Sequence, residues 1–234
     1  ATKRVAILGV GLGSVVAELA LRTGFSSLLL VDGDTVSETN LNRQRFTEAD
    51  VGKSKVLCTR NYLRAIAPKA KIAVVDAYLA PGDVAERLGD TDLVVDSIDL
   101  SSIDTILAVH QWARAKGVPV VFPMNLIWKS MVTVFDAQSE TLEQLLCVDD
   151  QTRQNVQARD FGFWAQFLGR HVSLRDQPGY ARFVSRSSRM KDWCPAPQLG
   201  LTATVTASLV VKSLVNLALG RSVPRAPAMA ALDL

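Results

Sequence analysis

Between residues 32 and 44 the chain gathers side chains suited to anions and hydroxyls: Asp32-Gly-Asp34-Thr-Val-Ser-Glu-Thr-Asn40-Leu-Asn42-Arg43-Gln44. Two Asn, an Arg and a Gln packed together can bind a triphosphate and a carboxylate near it, the Arg through a planar fork of donors. Nine residues after Arg43 comes Gly52-Lys-Ser-Lys55, opening a helix. A Lys at a helix start opposes the macrodipole unless an anion lies between them. A solvated helix face is the competing reading of Lys53 and Lys55. Upstream, Gly9-Val-Gly11-Leu-Gly13-Ser14 falls between a strand and a helix. Glycines there let the backbone approach phosphates, and the helix N-terminus offers unpaired N–H groups. The third Gly comes one position early, because a strict G-x-G-x-x-G needs Gly where Ser14 stands; a tight strand–helix turn is the competing reading. Asp32, at the end of the second strand and 19 residues after Gly13, is placed to accept hydrogen bonds from ribose hydroxyls. A solvated loop acid is the alternative, and Asp34 makes the segment more acidic than a turn requires.

The elements that must position these groups follow from the apolar pattern. Strands are expected at 4–8, 27–31, 71–75, 93–95, 118–122 and 131–135, mostly apolar without alternation, as in strands buried on both faces of a parallel sheet. Helices are expected at 12–23, 53–67, 82–89 and 101–116, with Pro81-Gly82-Asp83 as a start and Ala67-Pro68 as an end. The rhythm predicts an α/β fold, a Rossmann-like open, mostly parallel sheet with helices on both faces and right-handed crossovers. Residues 140–199 break it as a long crossover insertion within a single domain spanning 1–234. Helical periodicity returns at 200–219, with Ala203, Ala207, Val210, Leu214 and Leu217 on one face. Thr202, Thr204, Thr206 and Lys212 make that run a buried or dimer-facing helix rather than a membrane span. The Pro- and Ala-rich tail at 223–234 is expected to be loosely held.

Composition excludes several classes. With 234 residues, 48% hydrophobic and 21% charged, the chain has ample apolar content for a core and is not disordered. Its beginning does not resemble a signal peptide. Cys58, Cys147 and Cys194 are unevenly spaced and form no Cys-x-x-Cys zinc knuckle, so free thiols in the cytoplasm are the expectation. The net charge of +3 is too small to announce a nucleic-acid binder, but it is unevenly spread. Residues 151–191 carry eight basic and two acidic side chains, a net +6 that leaves the remainder at −3. Phe161, Phe163, Trp164 and Phe167 interleave with those Arg residues.

Taken together, the glycine turn, Asp-x-Asp-x-Val-x-x-x-Asn-Leu-Asn-Arg-Gln, Gly-Lys-x-Lys and Val94-Val-Asp-Ser-Ile-Asp99 resemble the ThiF/MoeB/ubiquitin-activating-enzyme superfamily. The likeness runs over residues 4–135 and resumes at 197–220, with Gly200 and Lys212 in the closing helix. The resemblance implies an ATP-dependent adenylyltransferase that activates a carboxylate and releases pyrophosphate. The carboxylate is the C-terminus of a ubiquitin-like sulfur carrier, or in divergent branches a small molecule or a modified tRNA base. By position, Gly9, Gly11 and Gly13 line the nucleotide and Asp32 holds the ribose. Asn40, Arg43 and Lys55 grip the triphosphate among Asp34, Asn42 and Gln44, Arg43 often near the interface of a homodimer, and Asp99 binds magnesium. The chemistry suits those residue types: bringing a carboxylate to the α-phosphorus joins two anions, so cations must offset the repulsion. No general base is needed, since a carboxylate is already ionised at neutral pH.

Departures from the superfamily pattern carry their own expectations. The shortened glycine loop shifts the phosphates or weakens ATP binding. No helix carrying a donated Arg precedes Thr2-Lys3-Arg4, and no structural zinc is expected. Phe122-Pro-Met124-Asn125 replaces small residues beside the reacting carboxylate, and Leu100 replaces a polar residue after Asp99, so an altered acceptor pocket is expected. Cys194, in Asp192-Trp-Cys194-Pro-Ala-Pro, lies where some relatives capture the acyl group as a thioester or persulfide, favoured as thiolate by the basic stretch; an incidental Cys is the stronger reading. Cys58 and Cys147 read as packing, and His110 and His171 as core or surface residues. The +6 stretch offers a guide for an acidic carrier tail or RNA, or a lid. Two other functions stay open: an NAD(P)-dependent oxidoreductase, which leaves the Asn-Leu-Asn-Arg-Gln element unexplained, and a non-catalytic scaffold subunit paired with an active partner.

Overall fold

Seven strands form one sheet in the order β3-β2-β1-β4-β5-β6-β7. The fold is taken from a computed structural model that describes residues 3–146 and 198–234. Strands β1 (Arg4–Leu8), β2 (Ser27–Val31), β3 (Lys71–Val75), β4 (Leu93–Asp96) and β5 (Val120–Leu126) run parallel, and β6 (Lys129–Phe135) and β7 (Ala230–Asp233) extend the sheet antiparallel. In β1, β2, β4, β5 and β6 the apolar runs are buried on both faces because each face carries its own core. Helices α1 (Leu12–Thr23), α2 (Lys55–Ile66) and α6 (Gly200–Ala218) cover one side, where Val5, Ile7, Leu28, Leu30 and Val95 point. Helices α3 (Val84–Leu88), α4 (Ile103–Lys116) and α5 (Leu142–Leu146) cover the other, over Ala6, Leu8, Val94 and Phe122. The even split is why these strands lack polar alternation.

Three expectations are corrected. The helix placed at 82–89 is a 3-10 turn, Pro81–Asp83, followed by the short α3. Strand β5 does not stop at Phe122 but continues through Pro123 to Leu126, and β6 begins at Lys129, two residues before the expected start. Proline is tolerated there because pairing between β4 and β5 ends at Val95↔Val121, so β5 is open on that side beyond it. Leu126 pairs with Lys129 across a two-residue turn in which Ile127 has φ +52, a strained conformation for a β-branched residue and one that no Asn-Gly signal announced. Finally, the tail is not loose. Strand β7 pairs with the edge of β6, Thr133 Oγ1 donates to the Ala228 carbonyl at 2.8 Å, and Arg225 meets Asp136 at 2.6 Å.

Helix α6 is long and apolar enough to cross a membrane. Its inner face is nonetheless part of the core: Ala207, Val210 and Leu214 are fully buried against the sheet, and the Thr202 carbonyl accepts from Ser130 Oγ. His110 is also a core residue. Its Nε2 lies 3.1 Å from the Asp96 carboxylate, at the edge of Phe122 and Phe135. Asp96 in turn accepts from the Ile98 N–H, so this buried pair fixes the start of the β4–α4 turn. Cys58 sits half-buried on α2, its thiol pushed up by burial and by Asp50, in keeping with a packing role. Most of the insertion at 140–199, with Cys147, Cys194, His171 and the basic stretch, lies outside the described residues.

Candidate functional site

A cleft of about 580 Å³ opens where the strand order reverses between β1 and β4, at the carboxyl ends of the parallel strands. In open α/β sheets this is where ligands bind, because the turns above neighbouring strands diverge there. The first wall is the β1–α1 turn. Gly9 has φ +79, and a Cβ on it would stand 2.2 Å from the Ser97 carbonyl oxygen, so this turn and the β4–α4 turn touch backbone to backbone. Ser97 locks the contact: its N–H donates to the Leu8 carbonyl at 2.9 Å and its Oγ to the Gly9 carbonyl at 2.7 Å. Gly11 is the N-cap of α1, with no side-chain cap and no acid in the first turn, so the helix presents uncapped amides.

Gly13 does not line this cleft. It is buried, and a Cβ there would be 2.7 Å from Ile7, so the third glycine serves the close approach of helix and strand. The early glycine therefore leaves the first two at the cleft rather than displacing them.

The second wall is acidic at its base. Asp32 accepts from the N–H groups of Val10 at 2.6 Å and Asp34 at 2.8 Å, and burial pushes its carboxyl above the ordinary range despite those bonds. Asp34 accepts from Lys55 Nζ at 2.7 Å and from the Tyr78 hydroxyl. Burial works against its ionisation, but Lys55 and Tyr78 outweigh it and hold the carboxyl below the usual value. Lys55 is thus a buried cation at the first position of α2, and Asp34 is the anion that makes it tolerable there.

Tyr78 was not among the residues singled out by sequence. It lies just past β3, its ring against Gly33, and its position at the carboxyl end of a parallel strand was the available signal. The bond to Asp34 raises its phenol to about 12. Because the folded value is raised, the stability from this bond is complete below about pH 10 and is lost as pH climbs through about 12. Ultraviolet titration at alkaline pH is expected to show the Tyr78 phenol ionising late in the wild-type protein, and Asp34→Asn to return it toward about 10. An unshifted difference spectrum would separate Tyr78 from Asp34.

Arg43 is the third element. Its Nε donates to Gln198 at 2.9 Å and its Nη1 to the Thr39 carbonyl at 2.7 Å and Asn42 Oδ1 at 2.9 Å. These partners are neutral, and no carboxylate pairs with it among the described residues, so burial alone lowers its pKa. Asn42 is exposed and orients the guanidinium without lining the cleft. Arg43 lines the cleft of its own chain. Gln198, at the entry to α6, carried no sequence signal. Asn40 caps a 3-10 turn through its Oδ1 to Ser37 N–H, and Gln44 lies over Gly11 with its Oε1 buried and unpartnered.

Asp99 stands exposed in the β4–α4 turn, where Oδ1 accepts from Ser101 N–H at 2.9 Å. No group of three or more metal-ligating side chains occurs among the described residues. A lone exposed carboxylate suits a magnesium ion, which keeps several waters and takes one or two carboxylates plus substrate phosphates. Gly9, Gly11, Asp32, Asp34, Asn40, Arg43, Gln44, Lys55 and Asp99, scattered over 91 positions, therefore share one cleft. Cys194 lies outside the described residues.

The ThiF family model matches residues 1–234. Among curated proteins, the chain is 36% identical over 137 residues to the molybdopterin-synthase adenylyltransferase of Escherichia coli K12, covering 58% of this chain and 54% of that protein. It is 33% identical over 124 residues to the tRNA threonylcarbamoyladenosine dehydratase of the same organism, covering 52% and 46%. It is 29% identical over 143 residues to the SAMP-activating enzyme E1 of Haloferax volcanii, covering 60% and 50%. The chain thus spans about half the length of these relatives. Among solved structures, selenomethionine PaaA superposes with a TM-score of 0.70 at 19% identity, over 100% of this chain and 70% of that one. E. coli MccB with ATP gives 0.70 at 18% identity, over 100% and 61%. At these identities the likeness to solved structures concerns the fold.

Proposed function

We propose, from the premise that this chain belongs to the ThiF family, that it is an adenylyltransferase joining a carboxylate to AMP from ATP. The observation that carries this reading is Arg43, a half-buried guanidinium with only neutral partners among the described residues, on a cleft that also holds Lys55 and a glycine turn. A cation left without a counter-ion in such a place is provided for an anion that arrives.

The nucleotide enters with its ribose on Asp32 and its phosphates between the amides at the start of α1 and the side chains of Arg43 and Lys55. Leu79 and Leu100, on the turns after β3 and β4, supply apolar walls for the base. Asp99 holds magnesium, which offsets charge on the phosphates when bound. An oxygen of the acceptor carboxylate bonds to the α-phosphorus while the bond from that phosphorus to the bridging oxygen breaks. Pyrophosphate leaves with the electron pair, and no proton need move. The work of the chain is to hold the two anions in line and to supply fixed positive charge before they meet. The acceptor is the C-terminus of a ubiquitin-like carrier, a small-molecule carboxylate or a modified tRNA base, and the protein works as a cytoplasmic homodimer.

ATP with magnesium is expected to raise the melting temperature by about 5 °C or more at saturation, and NAD(P)H to leave it unchanged. ATP–pyrophosphate exchange against a panel of carrier C-termini and small carboxylates then identifies the acceptor. Failure to bind ATP–magnesium at millimolar concentration would overturn the proposal, and a shift with NAD(P)H alone would favour an oxidoreductase. ATP binding with exchange only after a second protein is added would mark a scaffold subunit.

A further inference from the structure

Beyond Asp99 the cleft continues along β5. The last residue of β5 paired to β4 is Val121, yet the strand runs on to Leu126, so its end projects past the parallel sheet and walls the cleft. Asn125, near the end of β5, and Asp99, in the β4–α4 turn, line the same cleft. Asn125 is only 8% exposed, and its amide Nδ2 has no hydrogen-bond partner among the described residues.

A buried amide donor left unpaired has given up its hydration without replacement, and native chains keep few such groups. The surrounding fold makes no call on this one. Ser130, directly across the β5–β6 pair, commits its hydroxyl to the Thr202 carbonyl at 3.1 Å. Arg43 and Lys55 already have hydrogen-bond partners elsewhere in the cleft. The donor is also neutral, and that distinction matters for the chemistry. A full positive charge would stabilise the carboxylate as it arrives and blunt its attack, whereas an amide can orient one oxygen and leave the other reactive.

We propose that Asn125 is the residue that reads the acceptor. Its Nδ2 donates to the carboxylate oxygen that does not attack, the one that becomes the acyl carbonyl, and so turns the other oxygen toward the α-phosphorus beside Asp99. This assignment rests on the adenylation reading above. It also gives a reason for an Asn in a stretch, Phe122-Pro-Met124-Asn125, whose other members are apolar.

The test compares two probes by calorimetry: AMP, which reads only the nucleotide subsite, and 5′-O-(N-acetyl)sulfamoyladenosine, which adds an acyl carbonyl. The wild-type protein is expected to prefer the acyl probe. Asn125→Ala should reduce that preference by about 5- to 10-fold with AMP affinity unchanged, and Asn125→Asp should abolish it, since a carboxylate cannot donate. Asn125→Ala should also keep or raise the melting temperature, because it deletes an unpaired donor rather than a bond. Unchanged preference in Asn125→Ala with AMP still bound, or a melting temperature that falls, would overturn the role of Asn125 and leave adenylation standing. Binding of neither probe by the wild-type protein would instead overturn the nucleotide reading.

Discussion

Asp99→Ala is expected to lower ATP–pyrophosphate exchange by about 10³-fold and to remove its dependence on magnesium, while the protein stays folded. The size follows from what a metal-held charge supplies to a transition state in which two anions meet, about 4 kcal/mol. The folded state should hardly notice, because Asp99 is exposed and the one described bond of its side chain is to Ser101 N–H in its own turn. Asn at this position keeps an oxygen for that bond and loses only the charge. Asp99→Asn should therefore be as inactive as Asp99→Ala, with an unchanged melting temperature. Equal activity of wild type and both variants across a magnesium titration would remove Asp99 from the site.

Gly9→Ala should damage stability and activity together. The added Cβ would meet Ser97 backbone atoms at 2.2 and 2.6 Å, and the residue would have to hold φ +79. Neither neighbour is a side chain that can swing away, so the β1–α1 and β4–α4 turns must part, against the Ser97 bonds to Leu8 and Gly9. A loss of about 3 kcal/mol or more is expected, seen as a lower urea midpoint at constant slope. Because the displaced turn carries Asp99, turnover should fall even where the protein is still folded. Gly24→Ala is the control: Gly24 also has positive φ, at +109, but nothing lies within 4 Å of its Cβ position. It should cost about 1 kcal/mol from backbone strain alone and leave exchange intact. Equal losses at the two positions would mean that the contact between the turns does not matter.

The legible parts of the fold were those where local pattern and tertiary environment agree. Strands β1, β2 and β3 and helix α1 fall where the apolar runs placed them: burial on both faces demands uninterrupted apolar side chains in β1 and β2, β3 at the sheet edge buries Ile72 while Lys71 and Ala73 are exposed, and the turns between are marked by Gly. The strand expected at 118–122 stops short of Pro123, which lacks a ladder donor, and only the ending of β4 at Asp96 makes that proline harmless. Likewise Ala230–Asp233 has no strand pattern of its own and pairs because β6 offers an open edge. His110 looked isolated in sequence, and its partner Asp96 is reached only through packing of α4 on β4.

For the site, the sequence by itself determined the kinds of group present. A glycine turn, two acids, a guanidinium and a helix-opening Lys are facts of residue type and spacing, and each has a chemistry that needs no coordinates. The tertiary structure decided which of them share a cleft and what each is free to do. Lys55 is held by Asp34 and Arg43 is not held by any described acid; Gly13 packs on Ile7 while Gly9 and Gly11 reach the cleft; Tyr78 and Gln198 join the site. The physical reason is range. Helix starts, turns and buried strands are set by neighbours a few positions away, whereas a counter-ion, an unpaired amide or a backbone contact at 2.2 Å depends on residues that the parallel crossovers bring together from distant parts of the chain.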